Sequence, residues 1–122
     1  ILKFFSKQDS FFKKFGEIYF SEIRKNKVKG WNYHKKNTCL LTVPFGKVEF
    51  FFIDGRPKSK SYLSEEKITI HKKKYIILVV PPGIWFSFKS LTKLSVVANC
   101  IEMPHSDNET IKKDNIKGYK IR

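Results

Sequence analysis

The chain is poor in cysteine, methionine and acidic residues, and it has no long apolar run. Two cysteines in 122 residues leave room for one disulfide at most, which excludes a disulfide-built scaffold. Cys39 and Cys100 sit inside apolar stretches, TCLLTV and VVANC, where a free thiol behaves as a small hydrophobe. That setting points to a reducing compartment and a cytoplasmic protein. No apolar run approaches the ~18 residues of a membrane helix, and no secretory signal is visible, so no membrane partner is expected. The three histidines, at 34, 71 and 105, are too scattered to supply three or four ligands to one ion. Neither a metal nor another cofactor is expected. Ser87 and Ser90 lack a G-x-S-x-G context, neither cysteine has a histidine near it in sequence, and no Gly-rich phosphate loop occurs.

Acid is also scarce. Eleven Asp and Glu stand against 25 Lys and Arg, for a formal charge of +14. An anionic partner fits that balance: a nucleic acid, an anionic surface or a phosphorylated small molecule. Lysine-rich composition alone would produce the same charge. The basic residues are spread along the chain with no Arg-rich tract and no nucleic-acid motif, so nucleic acid is the weaker choice. The 41% apolar and 30% charged content is that of a globular chain. With no repeats and no linker, residues 1–122 read as a single domain whose start, at Ile1, is trimmed.

The pattern along the chain is that of strands. Residues 8–14 suit one or two helical turns capped by Asp9 or Ser10 and stopped by Gly16. After them EIYFSEI, VKGWNYH, CLLTV, KVEFFFID, ITIHK, KYIILVV, IWFSF and KLSVVANCIEM read as strands. Turn signals separate them: Pro-Phe-Gly at 44–46, Asp54-Gly55, and Pro81-Pro82-Gly83. Many short strands at this spacing predict an all-β sandwich or barrel. A barrel of this size encloses room for one small ligand. The FFF run at 50–52 reads as core and interface. Ser106 to Glu109 reads as a turn or a short helix start in a polar tail.

The stretch KGWNYHKK, Lys29 to Lys36, reads in two ways: as the floor of an active site, or as a polar strand face with one histidine bonded to a neighbour. On a strand Gly30, Asn32 and His34 share one face, while Trp31 and Tyr33 share the other. Histidine is the side chain best suited to proton transfer near neutral pH.

The order of the motifs now matters: KGWNYHKK, FGKVEFFFIDGR, VPPGIW, then Pro104 to Glu109. From about Gly16 onward the chain resembles the dTDP-4-dehydrorhamnose 3,5-epimerase family and the related sugar-nucleotide 3,4-ketoisomerases. The resemblance implies a cupin-type jelly-roll barrel, with short helical turns at its ends, and a homodimer. It implies a dTDP-4-keto-6-deoxy sugar as ligand, and a base that removes the proton beside the C4 ketone. It also sets out departures. The family's arginine aligns with Lys29, its catalytic histidine with Asn32, and its lysine near Cys39. A histidine commonly found after the Pro-x-Gly turn aligns with Phe86. The family's tyrosine falls near Ile101 or Glu102, where none stands. The aspartate that orients the histidine aligns with Asp114. His34 matches the second histidine of the ketoisomerases' His-x-His-Lys pattern.

The resulting expectation takes His34 as acid/base, Asn32 as a donor to the sugar or its C4 oxygen, and Asp114 as the carboxylate partner. Lys29, Lys35, Lys36 and Arg24 are the candidates for the diphosphate, with Tyr19, Trp31 and Trp85 for the thymine. Two other classes compete. One is a non-catalytic cupin that binds a sugar nucleotide or another anion. The other is a basic barrel that binds nucleic acid.

Overall fold

A computed structural model describes residues 1–114 of the chain. The polar tail expected at 115–122 lies outside the described residues. Nine strands are present among the described residues: β1 (Glu17–Arg24), β2 (Val28–His34), β3 (Cys39–Phe45), β4 (Lys47–Asp54), β5 (Glu65–His71), β6 (Leu78–Val80), β7 (Ile84–Ser90), β8 (Leu94–Ile101) and β9 (Thr110–Lys112). They form a four-stranded sheet in the order β1-β8-β3-β6 and a five-stranded sheet in the order β5-β4-β7-β2-β9. All named pairs are antiparallel. Apart from the β4–β5 hairpin, successive strands from β1 to β8 cross from one sheet to the other, which is jelly-roll connectivity.

The strands stand close to where alternation and turn residues place them, with three differences. No helix occurs among the described residues. The segment expected as helical turns makes tight turns instead, through the Asp9 N–H to Ser6 O and the Phe12 N–H to Asp9 O. Asp9 does accept a backbone N–H, that of Ser6 at 2.7 Å. KYIILVV shortens to Leu78–Val80: Lys74 closes a turn at 72–73 in which it and His71 bond each other's backbone, and 75–77 run on without strand pairing. Finally, Thr110–Lys112, inside the expected polar tail, is a strand that pairs with the end of β2.

The core lies between the two sheets and is built from inward positions two apart: Cys39, Leu41 and Val43 on β3, Val48 and Phe50 on β4, Phe86 and Phe88 on β7. The FFF run divides as alternation requires. Phe50 is fully buried and Phe52 packs against the core, while Phe51 faces the other way, with the Lys67 and Lys89 ammonium groups over its ring. Both cysteines are free and buried. Phe50 contacts Phe52 and Phe88 at ring separations of 6.1 and 5.5 Å, so its removal would leave a void bounded by rings that cannot collapse. Phe50→Ala is therefore expected to lower the unfolding free energy by about 3–5 kcal/mol, measured by chemical denaturation.

Candidate active site

A cavity of about 720 Å³ opens along the seam where the β1 edge of one sheet meets the β2–β9 edge of the other. Tyr19 and Ser21 of β1 and Val97 and Asn99 of β8 line one wall; Lys29, Asn32 and His34 of β2 line the other. Phe86 and Phe88 form part of its floor, and His105, Lys112, Lys113 and Asp114 border it from the last described segment.

The β2 wall depends on an irregularity. Lys29 pairs with Phe88 and Gly30 with Ser87, yet Asn32 pairs with Phe86, so Trp31 is an extra residue in the ladder. Such a bulge shifts the side-chain phase by one residue. Lys29 and Asn32 thereby reach the same cavity, although strict alternation would put them on opposite faces. Gly30 permits this. Its φ is +109°, and a Cβ there would lie 2.7 Å from the Phe86 carbonyl oxygen, so only glycine fits. Trp31 is buried away from the cavity, its backbone exchanging hydrogen bonds with that of Lys113. Tyr33 packs on Trp85, 4.8 Å between rings.

His34 is 9% exposed, and its Nδ1 lies 2.8 Å from Glu109 Oε2. The carboxylate places the ring proton on Nδ1. Nε2 makes no hydrogen bond to any described protein group. Glu109 Oε1 accepts the N–H groups of Lys36 and Asn37 at 2.8 and 2.9 Å. Burial acts to raise the Glu109 pKa, but these two N–H groups and the His34 ring outweigh it and bring it down to about 2. The ring is also stacked near Phe86, 6.1 Å between centroids.

On the facing wall the Tyr19 hydroxyl donates to Glu17 Oε1. Burial and that carboxylate push the phenol up to about 12. The hydrogen bond from Tyr19 in turn holds Glu17 below its ordinary value, helped by the His105 N–H at 2.9 Å.

The expected site residues therefore divide. His34, Asn32, Asp114, Lys29 and Tyr19 all line the cavity. Arg24, Lys35, Lys36 and Trp85 do not; Lys36 contributes its backbone N–H to Glu109, and Trp85 lies against Tyr33 with the Lys113 ammonium over its ring. The carboxylate bonded to the His34 ring is Glu109, while Asp114 is exposed at the cavity mouth. Glu109 and Lys112 were missed because both depend on β9 returning to β2, a pairing distant in sequence.

No family model and no curated protein matches the chain. Solved structures do. A dTDP sugar isomerase from Desulfovibrio desulfuricans G20 is 33% identical, with a TM-score of 0.90, covering 93% of this chain and 73% of that one. This chain belongs to the family of dTDP-4-dehydrorhamnose 3,5-epimerases and related dTDP sugar isomerases. The fold of this epimerase and isomerase family extends to more distant proteins. The dTDP-4-dehydrorhamnose 3,5-epimerase of Sulfolobus tokodaii is 23% identical, with a TM-score of 0.75, over 83% of this chain and 59% of its own. A 3,5-epimerase of Legionella pneumophila, solved in complex with dTDP-4-keto-L-rhamnose, is 18% identical with a TM-score of 0.75, over 81% of this chain and 54% of its own.

In this family member the Glu109 carboxyl has a lower pKa folded than unfolded, so it stabilises the fold above its ordinary value of 4.5. That stabilisation is lost as the pH falls from there towards about 2. Asp54, chiefly through Arg56, and Glu17 are also held low and contribute in the same direction, so a variant is needed to separate Glu109 from them. Glu109→Gln is expected to destabilise the protein by about 2 kcal/mol at neutral pH, with the difference from wild type vanishing towards about pH 2. Denaturation midpoints measured across that range would reveal it. A difference independent of pH would mean that the carboxylate's charge is not what stabilises this corner.

Proposed function

We propose that the cavity binds a dTDP-linked 4-keto-6-deoxy sugar and that His34, oriented by Glu109, moves the proton beside its ketone. The observation that carries this reading is the His34–Glu109 pair, 2.8 Å apart, at a cavity that also presents Lys29, Lys112 and Lys113. The family membership supports the ligand class.

The chemistry follows from the groups present. A proton on a carbon next to a ketone is removable when its electron pair can move onto the ketone oxygen. His34 Nε2 takes that proton, and the Glu109 carboxylate stabilises the imidazolium that results. Asn32, on the same wall, donates through its amide N–H to the C4 oxygen as negative charge develops there. Tyr19, from the other sheet, returns a proton to the opposite face of the carbon. Asp114 at the mouth lies beside the lysines and sets the local charge they present. Lys29, Lys112 and Lys113 hold the diphosphate as point charges. Asn99 Oδ1 is buried with no hydrogen-bond partner and would accept from a sugar hydroxyl, since buried polar atoms of this kind are ordinarily satisfied.

A homodimer is part of the proposal. Ile18 and Phe20 of β1 are exposed at one edge of the four-stranded sheet, an apolar surface that a second copy would cover. A cytoplasmic location, one domain and the absence of a cofactor complete the reading.

A second reading is favoured by one observation. Asn32 stands where the family's catalytic histidine aligns, and an amide is no base at neutral pH. A protein that binds the sugar nucleotide without turning it over would have this arrangement. Incubation with dTDP-4-keto-6-deoxyglucose in deuterated water, followed by NMR at C3 and C5, separates the two. Deuterium is expected at one or both carbons, at a rate lowered about 10²-fold or more in His34→Ala. Binding without exchange would establish the second reading, and exchange unaffected by His34→Ala would remove His34 from the mechanism.

A further inference from the structure

The jelly roll has a second open seam, on the side away from the first cavity. There the β5 edge of the five-stranded sheet faces the β6 edge of the four-stranded one. A cleft of about 300 Å³ lies between them. Phe52, Ile68, Leu78 and Ile84 form its apolar walls, and Arg56, Ser64 and Glu66 reach its rim. Phe52 separates it from the first cavity: its ring lies 6.4 Å from that of Phe86, which lines the other side.

The charges at this cleft run against the rest of the molecule. In a chain of net charge +14, the one cationic side chain that lines it among the described residues is already engaged. Arg56 donates from Nε and Nη2 to the two Asp54 oxygens at 2.9 and 3.1 Å. Asp54 also accepts from the Ser61 hydroxyl and from the Arg56 backbone N–H. That cluster is closed and neutral. Glu66 is left over. It stands opposite Phe52 in the β4–β5 ladder, two residues from Ile68, so it shares their cleft-facing side. It has no ion pair or side-chain hydrogen bond among the described residues. The adjacent Lys67 cannot neutralise it, because alternation sends Lys67 to the opposite face, where it pairs with Glu49 at 3.7 Å.

We propose that this cleft is a second ligand site, selective for a small molecule with an apolar body and a single ammonium group. The apolar body lies on Phe52, Ile68 and Ile84, and the ammonium meets Glu66. Both halves of the match are on the surface: about 300 Å³ is at the small end of known ligand clefts, and Glu66, exposed at the rim, is an unpaired carboxylate that an ammonium group on the apolar floor would reach. An anionic ligand of the kind the rest of the chain attracts would be repelled here. The ligand of this cleft does not depend on what the first cavity holds.

The test uses three probes of one shape, n-hexylammonium, n-hexanol and n-hexanoate, titrated into ¹⁵N-labelled protein. Hexylammonium is expected to shift the backbone amides of Glu66, Ile68, Leu78 and Ile84 and to bind about threefold more tightly than hexanol, with hexanoate weakest. Glu66→Gln, which keeps the side chain's shape, should bring hexylammonium to the affinity of hexanol. Glu66→Lys should reverse the order of hexylammonium and hexanoate. Absence of shifts at these amides with hexylammonium at millimolar concentration would overturn the proposal. So would equal affinity for all three probes, or a preference for hexylammonium that survives Glu66→Gln.

Discussion

One half-buried carboxylate holds the candidate site together. Glu109 accepts from the backbone of Lys36 and Asn37 and faces the His34 ring. It thereby joins the end of β2, the connector that follows it and the start of β9. Asn37 completes the tie from the other side. Fully buried, it accepts the Met103 N–H at 2.9 Å and donates to the Met103 carbonyl at 3.3 Å, so its side chain pairs with that segment as a backbone strand would. A carboxylate that satisfies several donors in a place shielded from water is both strongly held and costly to remove. The segment bearing His105 and Glu109 owes its position over the cavity to these bonds rather than to a hydrophobic face of its own.

The second constraint is the bulge at Trp31. A regular β2 would alternate its side chains and send Lys29 away from Asn32 and His34. The extra residue returns Lys29 to their side and places a cation on the same wall as the histidine. The backbone at Gly30 approaches Ser87 and Phe86 too closely for any side chain. The placement of a cation beside the histidine thus depends on a residue that carries no functional group.

The two seams of the jelly roll are unlike. The β1–β2 seam is large and bordered by lysines, with tyrosine and histidine on facing walls. The β5–β6 seam is small, apolar and acidic at its rim. The core rings of Phe50, Phe52 and Phe86 stand between them. Both openings follow from the architecture: two sheets packed face to face leave edges, and at an edge the inward positions face a partly open space that polar side chains can occupy without full desolvation.

Much of this was legible along the chain. Alternation and the turn residues mark β1 to β5, β7 and β8, because side-chain phase and turn chemistry are local properties. The shared face of Asn32 and His34 follows from the same period of two, and the motif order names the family. What the chain does not announce is pairing across distance. Thr110–Lys112 carries no strand signal of its own and becomes a strand because β2 offers it an edge. Glu109, rather than the aligned Asp114, reaches the His34 ring because that return sets which carboxylate arrives within bonding distance. The bulge that turns Lys29 inward is invisible in a pattern of two. Local sequence determined the strands, the core and the presence of a histidine on the inner face. Only the tertiary structure decided that histidine's partner and which lysines surround it, since Glu109 and Lys112 arrive from a segment some seventy-five residues away and Lys29 is turned inward by a bulge against β7.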